Sequence, residues 1–311
     1  MILDSAARRT PSVNPSDWSG LKVIQHFLVI GLLLVFTGCS GTQENREEST
    51  DPPEVLYQQG VEAIKADKYK TAVARFEELD RKHPFSPWAT RAQLNLIYAN
   101  YQLGEYEEAL AATRRYIRLH PRNRHVTYAY YMRGLAFYQQ ISTAHRDQGR
   151  TREAIVAFKE LITRFPDSDY AWEANRMLVL CRFRLAEQEM VVGRYYLDRS
   201  EYIAAIKRFS GVVDDDEYNG TPFVEEALFS LALGSFKLGL KEEARNYAVV
   251  LGHNFPNGMF YKWAIGMMQG GELISKSQLR ALRREVQEGS LFKQFFQGIT
   301  PGPPSGMIPG S

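Results

Sequence analysis

The sequence predicts an all-α solenoid of stacked helix pairs. Three observations carry that expectation. From Glu54 onward apolar residues recur at three- and four-residue spacing, with little of the alternation a strand needs. A short pattern then repeats: Ala72, Phe76, Leu79, Pro84; Ala109, Thr113, Tyr116, Pro121; Ala154, Phe158, Leu161, Pro166; Ala205, Phe209, Val212, Glu217; Ala244, Ala248, Leu251, Pro256. The offsets of +4, +7 and +12 from the leading alanine hold in all five units, whose alanines are 37, 45, 51 and 39 residues apart. Third, Gly60 and Gly193 each lie 12 residues before their alanines, and Gly134 lies 20 before Ala154, an insertion of 8.

Each unit reads as two helices. A small residue on the first lets the second approach, and the aromatic at +4 is expected to fill the gap to the next pair. The proline ends the second helix, because it has no N–H to donate and disfavours α geometry in the residue before it. Such pairs cannot bury their apolar faces alone and must stack. The pattern resembles the tetratricopeptide repeat. Unit 2 departs from it, with Ile97 in the small slot and Thr113 in the aromatic one, and unit 4 has Glu217 in place of proline. Tyr170 to about Asp198 holds no helix breaker except Gly193, which predicts one long helix, or two that nearly fuse, between repeats 1–3 (residues 54–170) and repeats 4–5 (171–270). Residues 271–311 read as an amphipathic helical tail, with Leu279, Leu282, Val286, Leu291, Phe292, Phe295 and Phe296 at helical spacing. It is expected to cap the solenoid, touch a partner or rest on the membrane, and to end in a disordered Gly/Pro-rich stretch from Thr300.

Composition excludes several functions. Of 311 residues 44% are apolar and 24% charged, which fits a folded chain. The net charge of +2 lacks the basic surplus of a general nucleic-acid binder. Two cysteines make neither a disulfide scaffold nor a four-cysteine zinc site. No His-Glu-x-x-His, Gly-x-Ser-x-Gly or Walker-type loop is present, so no catalytic residue, metal site or cofactor is expected. An enzyme whose repeats merely support a catalytic domain is disfavoured, because no 100-residue block outside the repeats remains for it.

The N-terminus carries an address. FLVIGLLLVF at 27–36 is too short to span a bilayer but suits a signal h-region. Behind it, Phe36-Thr37-Gly38-Cys39 resembles a bacterial lipobox, which makes residues 1–38 a signal peptide and Cys39 the lipid attachment site. Residues 1–20 are unlike an n-region and fit a start assigned too early. Residues 39–53 form a polar tether. Cys181, in an apolar run, reads as a buried structural thiol.

HPFSPWATRAQLNLIY (83–98), YIRLHP (116–121), YYMRGL (130–135) and RYYLDRSEYIAAIKR (194–208), together with the lipobox, resemble the BamD (ComL) family of outer-membrane β-barrel assembly lipoproteins. The resemblance covers about residues 36–260. It implies a non-enzymatic periplasmic scaffold, lipid-anchored to the outer membrane. Its implied partners are the POTRA region of a barrel subunit, other assembly lipoproteins and unfolded outer-membrane proteins. The alternative is another repeat-bearing periplasmic adaptor, acting at the cell wall or division site.

Within that frame the first helix of each pair is expected to line a concave groove. Register places Tyr57, Val61 and Ile64 there, then Leu94, Tyr98, Tyr101 and Gln102, then Tyr128, Tyr131, Leu135 and Tyr138. Tyrosines bury area at low entropic cost and offer hydroxyls to a peptide; the rival expectation is that they pack between helices. Lys65 and Arg91 are the candidate partners for a peptide's C-terminal carboxylate. Pro84-Phe85-Ser86-Pro87-Trp88 is either a rim of that groove or a hinge. The resemblance implies that the C-terminal repeats meet the POTRA partner, and Arg208 is the candidate guanidinium there.

Overall fold

The computed structural model describes residues 51–141, 148–218, 220–270 and 273–288. The signal peptide, Cys39 and nearly all of the expected tether lie outside the described residues. So do 289–311, with Leu291, Phe292, Phe295, Phe296 and the Gly/Pro-rich end.

Among the described residues ten helices form five antiparallel pairs: α1 (Pro53–Lys65) with α2 (Tyr69–Lys82), α3 (Pro87–Leu103) with α4 (Tyr106–Leu119), α5 (Val126–Gln139) with α6 (Gly149–Arg164), α7 (Asp169–Asp198) with α8 (Tyr202–Asp214), and α9 (Val224–Lys237) with α10 (Lys241–Asn254). Two more follow, α11 (Met259–Met268) and α12 (Lys276–Glu288). The described residues contain no strand. The long helix is there as expected, 30 residues from Asp169 to Asp198. Its N-terminal part packs into the core of pairs 2 and 3 through Ala174, Met177, Leu178 and Cys181. Its C-terminal part joins the core of pairs 4 and 5 through Ala186, Met190 and Leu197. Sequence reasoning did not separate α11, whose Phe260 stacks on Phe229 at 5.5 Å.

The small-residue slot has a direct physical reason. A Cβ on Gly60 would stand 2.4 Å from the Phe76 ring, one on Gly134 2.3 Å from Phe158, and one on Gly193 2.7 Å from Phe209. No real Cβ survives at such distances, so glycine is required in the first helix wherever phenylalanine stands in the second. Pair 2 meets the same constraint by exchange: Ile97 supplies the bulk from the first helix and Thr113 replaces the ring, and both are fully buried. The Thr113 hydroxyl donates to the Leu110 carbonyl at 2.8 Å, so the substitution leaves no orphaned donor.

The turns repeat as well. His83, His120, Phe165 and Phe255 end α2, α4, α6 and α10 with nearly one backbone conformation, φ −129 to −139 and ψ 50 to 60. Each precedes a proline, which bars the α region there. Unit 4, with Glu217 instead, ends α8 differently: Asp215 turns to φ −90, ψ 111, and a short 3-10 turn, Asp216–Tyr218, follows. Five residues before their alanines, Asp67, Gly104, Ser200 and Gly239 all take positive φ, 55 to 82. That left-handed residue reverses the chain between the helices of a pair.

Cys181 is fully buried, and burial pushes its thiol up to about 12, which makes it an inert packing residue.

Two stability measurements test this account. Gly134→Ile alone should cost several kcal/mol by overpacking, and adding Phe158→Thr should recover a large part of that loss by reproducing the pair-2 exchange. Urea unfolding of both variants decides it, and a double mutant no better than the single contradicts the exchange. Ser200→Gly should stabilise by up to about 1 kcal/mol by removing a side chain from the left-handed region, raising Tm by a few degrees.

Candidate functional site

The expectation that the groove is lined by tyrosines is corrected for most of them. Tyr57, Tyr101, Tyr128 and Tyr131 are buried between helices, as are Val61, Ile64, Leu94 and Leu135. The register that points a ring at the next pair also removes it from the open face. Tyr57 lies between Trp88 (5.0 Å between centroids) and Phe76 (6.1 Å), and its hydroxyl accepts from the Asn95 amide at 3.2 Å. Gln139 donates to the Tyr101 hydroxyl at 2.8 Å. Tyr131 packs on Phe158 and on Tyr170, which also meets Tyr128 edge-on. Burial raises the pKa of all four hydroxyls, that of Tyr101 to about 12, so they remain neutral.

Tyr98 and Tyr138 are half-buried and keep part of their surface free. Tyr98 stands edge-on to Tyr69 at 6.3 Å, near the turn between α1 and α2. Lys65 and Arg91 are exposed. Arg91 stacks over the Trp88 ring at 5.1 Å. Across the turn Arg124 donates to His125 Nε2 at 2.8 Å. The His125 pKa is lowered, first by burial and then by the charges of Arg124 and Arg91, which places Arg91 close to the start of α5. On the first turn of α7, Trp172 is 63% exposed and carries Arg176 over its ring at 4.9 Å. The N-terminal ends of α3, α5 and α7, three successive first helices, therefore present an aromatic–guanidinium or imidazole–guanidinium pair each.

Local sequence explains why these ends are ordered. Ser86 caps α3 by accepting from the Trp88 N–H at 3.0 Å, and Ser168 caps α7 by accepting from the Ala171 N–H at 3.1 Å. Phe85, in the turn before α3, is fully exposed. An exposed ring beside stacked Trp–Arg pairs can receive an apolar side chain and a carboxylate together. Sequence reasoning named Trp88 and Arg91 but missed the second stack. The signal was there: Trp88 and Arg91 are three apart, Trp172 and Arg176 four apart, both same-face spacings on a helix.

Behind this edge a polar network ties pairs 1 and 2 together. Gln93 donates to Asp80 Oδ1 at 2.6 Å, Arg115 pairs with Asp80 Oδ2 at 2.5 Å, and His120 Nε2 meets Gln93 Oε1 at 2.9 Å. The His120 pKa is lowered, chiefly by burial and secondly by Arg115. A separate cavity of about 380 Å³ opens between α4, α5 and α6, lined by Phe137, Val156 and Ala157 and by Arg114, Arg133 and Arg152. Two of its three walls are second helices, so it is not the groove of the first helices.

Arg208 is exposed on α8 and pairs with Glu189 of α7 at 3.2 Å. A pair this open contributes little to stability and can be exchanged for another carboxylate. Among the described residues no group of three or more His, Cys, Asp or Glu could hold a metal, and no helix is long and apolar enough to cross a membrane.

Stacked helix pairs with a polar-aromatic edge define a repeat scaffold of the tetratricopeptide type. The chain belongs to the YfiO family of outer membrane lipoproteins, whose match spans residues 49–250. It is 35% identical over 248 residues to "Outer membrane protein assembly factor BamD" of Rickettsia prowazekii, covering 80% of this chain and 97% of that one. The protein of the same name from Caulobacter vibrioides is 36% identical over 210 residues, 68% of each chain. Among solved structures, the match to "TPR2AB-domain:pHSP90-complex of yeast Sti1" covers 79% of this chain and 96% of that one at 16% identity, with a TM-score of 0.37.

His120 generates a pH prediction. A histidine whose folded pKa is depressed binds a proton more readily unfolded, so stability falls as pH drops below about 6.5. His120→Gln should flatten that part of a Tm profile taken from pH 8 to pH 5; an unchanged slope would remove His120 as its source.

Proposed function

We propose that this protein is a non-catalytic scaffold in the assembly of outer-membrane β-barrel proteins, held at the periplasmic face of the outer membrane by a lipid on Cys39. The observation that carries this reading is its membership of a family whose relatives, matched over 97% of the Rickettsia protein's length, bear the name of an outer membrane assembly factor. A solenoid suits the task, since it holds several partners on separate faces at once.

The substrate is an unfolded barrel protein that binds as an extended peptide across the ends of α3, α5 and α7. Arg91 takes its terminal carboxylate, with Lys65 as the second positive charge, and Trp88, Tyr98, Phe85 and Trp172 take its aromatic side chains. Tyr138 borders the same path. Tyr57, Tyr101, Tyr128 and Tyr131 shape this edge from beneath without meeting the peptide. The POTRA region of the barrel subunit docks on the C-terminal repeats, where Arg208 exchanges Glu189 for a carboxylate of the partner. Other assembly lipoproteins complete the complex.

Each half has its own test. A fluorescent peptide ending in an aromatic residue with a free carboxylate should lose about tenfold in affinity with Arg91→Glu, which is about 1.4 kcal/mol, close to the lower end for one charge-assisted hydrogen bond. Trp88→Ala should act in the same direction, and circular dichroism should show helicity retained. Equal affinity in Arg91→Glu sinks the substrate assignment. Arg208→Glu should abolish co-purification with a POTRA-bearing barrel subunit while leaving Tm within a few degrees; full recovery of the subunit sinks the partner assignment.

A further inference from the structure

Helix α9 is enclosed in a way the other first helices are not. Its residues from Glu225 to Ser235 are all buried, whereas α3 leaves Arg91 exposed and Tyr98 and Gln102 half-exposed. The added cover comes partly from α12, whose Leu279 and Leu282 enter the core of pairs 4 and 5. Next to Leu282 in the chain, Arg283 belongs to a buried ionic triad. Glu226 of α9 accepts from Arg194 Nε of α7 at 2.8 Å and from Arg283 Nε of α12 at 2.6 Å. The Arg283 and Glu226 side chains are 8% and 6% exposed. At the rim Arg280 pairs with Asp198 at 2.8 Å, and Lys276 donates to the Asp198 carbonyl.

Two features mark α12 as an occupant rather than a sixth repeat. It starts itself: Ser275 Oγ accepts from the Gln278 N–H at 3.2 Å and Gln278 Oε1 accepts from the Ser275 N–H at 2.8 Å, a reciprocal capping box that needs nothing from the solenoid. Its polar anchor is also imperfect. Two guanidinium groups share one carboxylate, and Arg283 Nη2 is buried with no hydrogen-bond partner. An unmet donor of this kind opposes docking and keeps the helix displaceable.

We propose that the face of α7 and α9 around Glu226 is a helix-docking site that α12 fills in cis. Its ligand in trans is a basic amphipathic helix of a partner protein, carrying two leucines three residues apart with an arginine directly after the second. That spacing puts all three side chains on one face, as Leu279, Leu282 and Arg283 lie here. The acidic groups of the site, Glu226 and Asp198, meet the basic face of such a helix. A short tether gives α12 an effective concentration of order mM, so a partner helix binds measurably only once α12 is released.

The test uses the full chain and a labelled peptide of residues 276–288. Leu282→Asp with Arg283→Glu should free α12 while leaving the site intact. Fluorescence anisotropy should then show the peptide binding this variant at least tenfold more tightly than the unmodified chain. A peptide with alanine for arginine at its 283 position should lose that gain. Equal affinity for both chains overturns the proposal. So does a release variant that loses its cooperative unfolding transition, because α12 is then an integral part of the fold. Hydrogen exchange on the unmodified chain supplies a second reading: amides of α12 should exchange at least a hundredfold faster than those of α9, and equal protection of the two also overturns it.

Discussion

The closest approach between the two helices of a pair governs this fold. Where Phe76, Phe158 or Phe209 leans from the second helix, the first helix has only backbone to offer it, at Gly60, Gly134 and Gly193. The ring then fills the gap that the absent side chain leaves, and the helices pack at core density. The rest follows from holding each pair at that distance. The left-handed residue between the helices and the proline after them set the return angles. The exchange to Ile97 and Thr113 in pair 2 shows that the bulk at this approach can come from either helix.

Most of this architecture was legible in the sequence because the constraints are local or periodic. The +4, +7 and +12 pattern located the pairs, the glycines located the close approaches, and the missing breaker between 170 and 198 located α7. Even the departure at Glu217 has a visible result in the 3-10 turn that replaces the proline geometry. Helical periodicity could not say which side of each tyrosine met a neighbour and which met solvent. Tyr57 and Tyr131 occupy positions that suit a groove or a core equally. Neighbouring pairs decide the matter, and their placement depends on contacts tens of residues away. The Arg91–Trp88 and Arg176–Trp172 stacks lay within reach of simple spacing rules. The docking of α12 did not, since Glu226 and Arg283 are 57 residues apart and on unlike elements.

Polar groups mark the seams between units. The Asp80, Gln93, Arg115 and His120 network joins pair 1 to pair 2, and the Arg194, Glu226 and Arg283 triad joins α7, α9 and α12. Buried charges of this kind add little net stability, because desolvation cancels much of their attraction. They are demanding about geometry, however, and fix register where apolar contacts would let one pair slide over the next.

The long helix α7 carries a mechanical consequence. It contributes side chains to two cores, at Met177 and Cys181 on one side and Met190 and Leu197 on the other. No proline interrupts it, and its one glycine is clamped by Phe209. At 1.5 Å per residue its 30 residues form a rod of about 45 Å. A rod does not absorb strain between its ends. A one-degree tilt imposed at Trp172 sweeps the Asp198 end through about 0.7 Å by lever geometry, so whatever presses on the aromatic edge is felt as displacement where α12 is moored.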